Sequence, residues 1–89
     1  MINDYYLERN IPTLDLHGLS RDIARSNLIE FIKENVKQDK KYLRVIHGIG
    51  EGILKEEVHL ELKTNKYVSD YKIEVGNPGS TIVLLKRNV

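Results

Sequence analysis

The sequence predicts an α/β fold in the order βαβαββ, with both helices on one face of the sheet. Three observations predict it. Two strand-like runs, 13–17 and 42–46, flank a stretch with helical spacing of apolar residues and join it through short links. The second run stops at His47 and passes through Gly48, Gly50 and Gly52 into another helical pattern. Two further alternating runs close the chain around a Pro-Gly turn signal.

Residues 1–10 read as a polar, tyrosine-bearing arm, expected to pack through Tyr5, Tyr6 and Leu7, and the domain proper occupies 11–89. Pro12 disfavours helix before it and leads into a strand. In that strand Leu14 and Leu16 share one face, and Thr13, Asp15 and His17 share the other, until Gly18 ends it. Ser20 is a good N-cap for a helix over 21–37, whose stripe of Ala24, Leu28, Phe31, Ile32 and Val36 is core. Lys33, Lys37, Lys40 and Lys41 gather at its C-terminal end, where cations suit the helix dipole. Tyr42 to Ile46 follow as the second strand. Strand, helix and strand with short links make a right-handed unit with parallel strands. The second helix, Ile53 to Lys63, carries Leu54, Val58 and Leu62 at every fourth position, and His59 is expected at its surface. Tyr67 to Val75 alternate as the third strand. Asn77-Pro78-Gly79-Ser80 reads as a type II turn into a fourth, antiparallel strand, Thr81 to Lys86. Both helices on one face leave the other face of the sheet partly open.

Composition bounds the function. The 89 residues suffice for one domain with a two-layer core. There is no cysteine, which excludes a disulfide framework, a cysteine zinc site and a thiol nucleophile. No apolar run approaches a membrane span and the N-terminus lacks a signal-peptide pattern, so a cytoplasmic address is the default expectation and no membrane partner is expected. The formal net charge is only +1, so binding to a polyanion must rest on a local cluster.

The glycine stretch is that cluster's natural place. A strand–loop–helix junction aims unpaired N–H groups and the positive end of a helix dipole at one point, which suits a phosphate. Lys55 stands in the first helical turn, where the dipole disfavours a cation; it is either a solvated lysine or a residue that a bound phosphate rationalises. Parallel strands bring His17 and His47 to the same sheet edge, where ligands of open α/β sheets bind. Asp15 and His17, two apart on one strand face, form either a solvent-facing edge or a coupled acid–base pair. The glycines are not a dinucleotide fingerprint, since Ile53 stands where a third glycine belongs. Neither a Gly-Lys-Ser/Thr loop nor a His-Glu-x-x-His pair occurs. No cofactor or metal is expected, because Asp15 and Glu51 are the only carboxylates at hand near Gly48.

Three segments together resemble the Smr (small MutS-related) domain family: Leu14-Asp15-Leu16-His17-Gly18, then His47-Gly48-Ile49-Gly50-Glu51-Gly52-Ile53-Leu54, then Gly79-Ser80-Thr81-Ile82-Val83. The resemblance spans about 11–86, and the chain looks like a stand-alone member. It implies a two-layer α/β sandwich with a four-stranded mixed sheet, similar to the C-terminal domain of translation initiation factor three. It implies nucleic-acid binding, of DNA or RNA, with endonuclease activity as the expected chemistry and the ribosome as a further partner. Asp15 and His17 match the first motif; His47, Gly48, Gly50 and Gly52 match the second; Thr81 matches the third. The family often has lysine where this chain has Ile49. In the expected mechanism the amides of Gly48, Gly50 and Gly52 hold a phosphate oxygen, and Lys55 and Arg44 add charge. His17 and His47 divide the base and acid roles, which suit imidazoles at neutral pH because an unperturbed imidazole titrates at about 6.5, and Asp15 orients an imidazole. A non-catalytic nucleic-acid-binding module and a protein-interaction domain in ribosome or repair complexes are the alternatives.

Overall fold

The computed structural model describes Ile2 and residues 10–86. The expected contacts of Tyr5, Tyr6 and Leu7 lie outside these residues. The elements are β1 (Thr13–Asp15), α1 (Arg21–Lys37), β2 (Tyr42–Ile46), α2 (Ile53–Thr64), β3 (Val68–Glu74) and β4 (Asn77–Leu85). The sheet order is β1-β2-β4-β3. β1 and β2 are parallel, and β4 is antiparallel to both β2 and β3. The expected α/β fold, βαβαββ with a mixed four-stranded sheet, is thus the fold the chain adopts.

Both helices pack on one face. Ala24, Leu28 and Ile32 of α1 and Val58 and Leu62 of α2 share a buried cluster with Leu43, Val45, Val83 and Leu85 of the sheet. Alternation along the strands sends Tyr42, Ile82 and Leu84 to the other side. There they bury with Ile2 and Ile11, so the second face is less open than expected. Glu57 of α2 is buried and pairs with Arg21 at 3.2 Å and Arg25 at 3.6 Å, tying the two helices together over the sheet. Ser20 stands at the start of α1, but its hydroxyl makes no capping bond.

Arg44 has a different place from the one expected. Its guanidinium forms a two-pronged pair with Glu74, with Nε to Oε1 and Nη2 to Oε2 both 2.9 Å, and also donates to Thr13 Oγ1 at 3.4 Å. Glu74 is buried, and the hydrogen bonds from Arg44 hold its carboxyl below the usual range. The residue counted as a phosphate contact therefore braces the sheet from β2 to β3.

The chain reverses three residues earlier than the Pro-Gly signal suggests. Glu74 faces Asn77, so the turn is Val75-Gly76, with Gly76 at φ 78° supplying the left-handed conformation. Asn77 to Ser80 belong to β4. The register slips between Glu74↔Asn77 and Ile73↔Thr81, and pairing with β2 stops at Ile46↔Ser80. Pro78 falls in this bulge, where its missing N–H breaks no ladder bond. The bulge has a use: the Gly79 carbonyl accepts from both His47 N–H and Gly48 N–H at 2.9 Å. It anchors the glycine loop.

Candidate functional site

The loop after β2 lies at the edge where β1 also ends. Leu16 N–H donates to the Ile46 carbonyl at 2.7 Å, which holds the end of β1 against that of β2. His17 Cβ packs on Gly48: a Cβ built on Gly48 would lie 3.1 Å from it, and Gly48 has φ +82°. Only glycine fits that position without strain. Gly79 is as close beneath, since a Cβ there would meet Ile49 Cγ1 at 3.1 Å and the Gly48 carbonyl carbon at 3.2 Å.

The two histidines share this edge, but their rings diverge. His17 points outward, its side chain 70% exposed, and its Nδ1 lies 2.6 Å from Asp15 Oδ1. The same carboxylate oxygen accepts the His17 backbone N–H at 3.1 Å. These hydrogen bonds, the side-chain one foremost, lower the Asp15 carboxyl below its ordinary value. Nδ1 must carry the proton that faces a carboxylate, so in the neutral ring the Nε2 lone pair faces solvent. This is the base–orienter arrangement.

His47 turns inward, only 4% exposed. Its Nδ1 lies 3.1 Å from the Gly48 carbonyl and its Nε2 lies 2.9 Å from Thr81 Oγ1. A second imidazole completes the cluster. His59 Nε2 lies 2.8 Å from the same hydroxyl, and its ring packs edge-on to His47 at 5.9 Å. The proton positions follow from the partners. A carbonyl only accepts, so His47 Nδ1 bears hydrogen and its Nε2 accepts from the Thr81 hydroxyl. That hydroxyl then accepts from His59 Nε2–H. The chain His59 → Thr81 → His47 → Gly48 carbonyl is fully satisfied and fixes the start of the glycine loop.

Burial pushes both imidazoles down, and Lys55 pushes in the same direction on each. The expectation of an unperturbed His47 therefore fails, and the reason is burial of the ring, which outweighs the opposing hydrogen bond to the Gly48 carbonyl. In the folded chain the two rings stay neutral at a pH where unfolded imidazoles, near 6.5, take up protons. Below about pH 6.5 the unfolded state binds more protons, so stability is full above that value and falls as pH drops through it. Replacing Thr81 by valine should cost about 2 kcal/mol, because an isosteric apolar group leaves a donor and an acceptor unpaired in the core. Urea midpoints at pH 7.5 and 5.5 check both expectations.

The remainder of the loop is open. Gly52 stands at the N-terminus of α2 with φ 84° and offers no side-chain cap to the first-turn N–H groups. Gly50 has no atom within 4 Å of a built Cβ, and its φ is not in the left-handed region. Among the described residues no carbonyl accepts the N–H of Gly50 or Gly52. Gly18, His47 and the stretch from Gly48 to Lys55 line a cleft of about 230 Å³. Its amides, helix dipole and Lys55 make it attractive to an anion.

The structure thus brings Asp15, His17, Gly50, Gly52 and Lys55 to one open edge. It places others elsewhere. The Gly48 N–H is spent on Gly79, Thr81 is wholly buried beneath His47, and Arg44 is paired with Glu74. His59, expected at the surface, is half-buried and part of the site's foundation. The available signal was Thr81 itself, which alternates with the core residues Val83 and Leu85. A hydroxyl on a core face needs a polar partner.

Fold and site define a class: a small α/β sandwich whose glycine loop links a parallel strand to an uncapped helix, beside an exposed Asp–His pair. The Smr domain family model matches residues 14–86, and the chain belongs to that family. Over 76 residues it is 38% identical to endonuclease MutS2 of Solidesulfovibrio magneticus, covering 82% of this chain and 10% of that protein. It is 35% identical over 78 residues to endonuclease MutS2 of Halothermothrix orenii, covering 84% of this chain and 10% of that one. The chain thus spans about a tenth of the length of these relatives. The Smr domain of Thermus thermophilus MutS2 superposes with a TM-score of 0.83 at 26% identity, covering 85% of this chain and 99% of that one. YdaL, a stand-alone small MutS-related protein of Escherichia coli, shares the fold with a TM-score of 0.82 at 19% identity, covering 98% and 79%. Among the described residues, no helix is long and apolar enough to cross a membrane.

Proposed function

We propose that the chain binds nucleic acid at the loop from Gly50 to Lys55 and cleaves a phosphodiester with His17 as general base. The observation that carries this reading is the exposed Asp15–His17 pair beside the open glycine loop. The name endonuclease MutS2 borne by its relatives supports the reaction class. A non-bridging phosphate oxygen accepts from the Gly50 and Gly52 amides and the first turn of α2. Charge developing on that oxygen is stabilised by fixed N–H dipoles and Lys55. His17 Nε2 takes the proton of the nucleophile, a water or a ribose 2′-hydroxyl, and Asp15 holds the imidazolium that results. His47 keeps the loop in place and exchanges no proton with substrate, since both its ring nitrogens are bonded inside the fold. The leaving oxygen takes its proton from solvent.

One observation favours a second reading, a binding module without turnover. With His47 locked, a single open imidazole remains where acid and base were both expected. An assay on supercoiled plasmid and on structured RNA decides between them. Nicked or shortened product from the wild type, absent with His17→Ala, supports cleavage. Tight binding with no product from either protein supports the module.

A further inference from the structure

A groove between α2 and the edge strand β3 adjoins the loop and is not used by the chemistry above. It has a volume of about 450 Å³ and shares Gly52 and Lys55 with the loop cleft. Leu60 stands in it 58% exposed, an apolar side chain on the outer face of α2. Tyr71 of β3 forms the opposite wall, and its ring packs against His59 at 5.1 Å with a tilt of 54°. His59 is in turn fixed by Thr81 at 2.8 Å, so the aromatic wall is braced from the core. Lys55 and Lys63 mark the two ends of the groove, with Glu56 the carboxylate between them. Eight residues of helix separate the lysines by about 12 Å.

We propose that this groove receives one base of a single-stranded nucleic acid whose neighbouring phosphate rests on the Gly50–Lys55 loop. The inference rests on the nucleic-acid reading of that loop and adds a second subsite to it. Charge complementarity commits the groove to this occupant. Its rim carries two ammonium groups against one carboxylate, and it opens directly onto the uncapped α2 terminus, so a polyanion is favoured over a neutral or basic peptide. Its size is that of a pocket for a small flat ligand. A braced aromatic and an apolar side chain provide the stacking surface on which single strands are held with little regard to sequence. A base in a duplex cannot enter the groove without leaving its stack. Unpaired or flap segments are therefore the preferred substrates.

The test compares two octamers of equal charge, one of thymidine and one of abasic sites, by fluorescence anisotropy at low salt. Wild type should bind the thymidine octamer about tenfold more tightly than the abasic one. Leu60→Ser, on an exposed position, and Tyr71→Leu should each bring the thymidine octamer down to the abasic level. Gly50→Val should weaken both octamers together. Equal affinity of the wild type for both octamers overturns the groove and spares the loop. Failure of both octamers to bind removes the loop reading and the groove with it. Equal affinities together with a concentration-dependent dimer that Leu60→Ser abolishes would assign the groove to a second copy of the chain.

Discussion

His17→Ala is expected to lower the rate of phosphodiester cleavage by about 100-fold or more, the range that a positioned general base supplies. Stability should stay within about 0.5 kcal/mol, because the ring and its Asp15 partner are both solvent-exposed. Asp15→Asn should lose a similar factor for a different reason. An asparagine amide can donate to Nδ1, which would place the imidazole proton on Nε2 and remove the lone pair that accepts the nucleophile's proton. His47→Ala separates the two histidines. It should lower activity together with the thermal midpoint, since it removes a buried ring and leaves the Thr81 hydroxyl with one partner fewer. Single-turnover cleavage and thermal melts on the three variants read these outcomes. Full cleavage activity in His17→Ala would remove His17 from the base role.

Arg44→Leu is expected to destabilise the fold by about 3 kcal/mol, because it strands a buried carboxylate whose bidentate partner is gone. Removing both charges, as Arg44→Leu with Glu74→Leu, should recover most of the loss. The pH dependence has a definite sign. The Glu74 carboxyl is depressed by Arg44, so its contribution is full above the ordinary carboxylate range and is lost as pH falls through it. Urea unfolding of the single and double variants at neutral pH and near pH 3 measures this. A loss of nucleic-acid affinity in Arg44→Leu with unchanged stability would restore the phosphate role first expected of this residue.

The fold was legible because its signals are periodic. Leu28 and Ile32, Val58 and Leu62, and Val83 and Leu85 mark buried faces by spacing alone, and short links dictate parallel β1 and β2. The edge that carries the loop followed from topology. What stayed hidden depends on which way single side chains turn. A histidine at the end of a strand can point out, as His17 does, or down, as His47 does, and spacing does not distinguish them. Arg44 alternates with core residues and looks solvent-facing until Glu74, thirty residues away, is seen across the sheet. Pro78 and Gly79 carry turn chemistry, yet tertiary pairing uses them as a bulge, because Val75-Gly76 offers a tighter reversal three residues earlier.

The central claim is that an anion of the nucleic-acid backbone sits on the open amides of the glycine loop. An NMR titration of the protein with a short oligonucleotide, repeated at two salt concentrations, tests it most directly. Amides of Gly50 to Lys55 should shift first, and the apparent affinity should fall steeply with salt as counterions compete. Gly50→Val should remain folded, since a Cβ meets nothing within 4 Å there and its φ is not left-handed, while its loop shifts disappear because the side chain blocks backbone approach. Shifts confined to Lys33, Lys37, Lys40 and Lys41 at the end of α1, undiminished in Gly50→Val, would contradict the account.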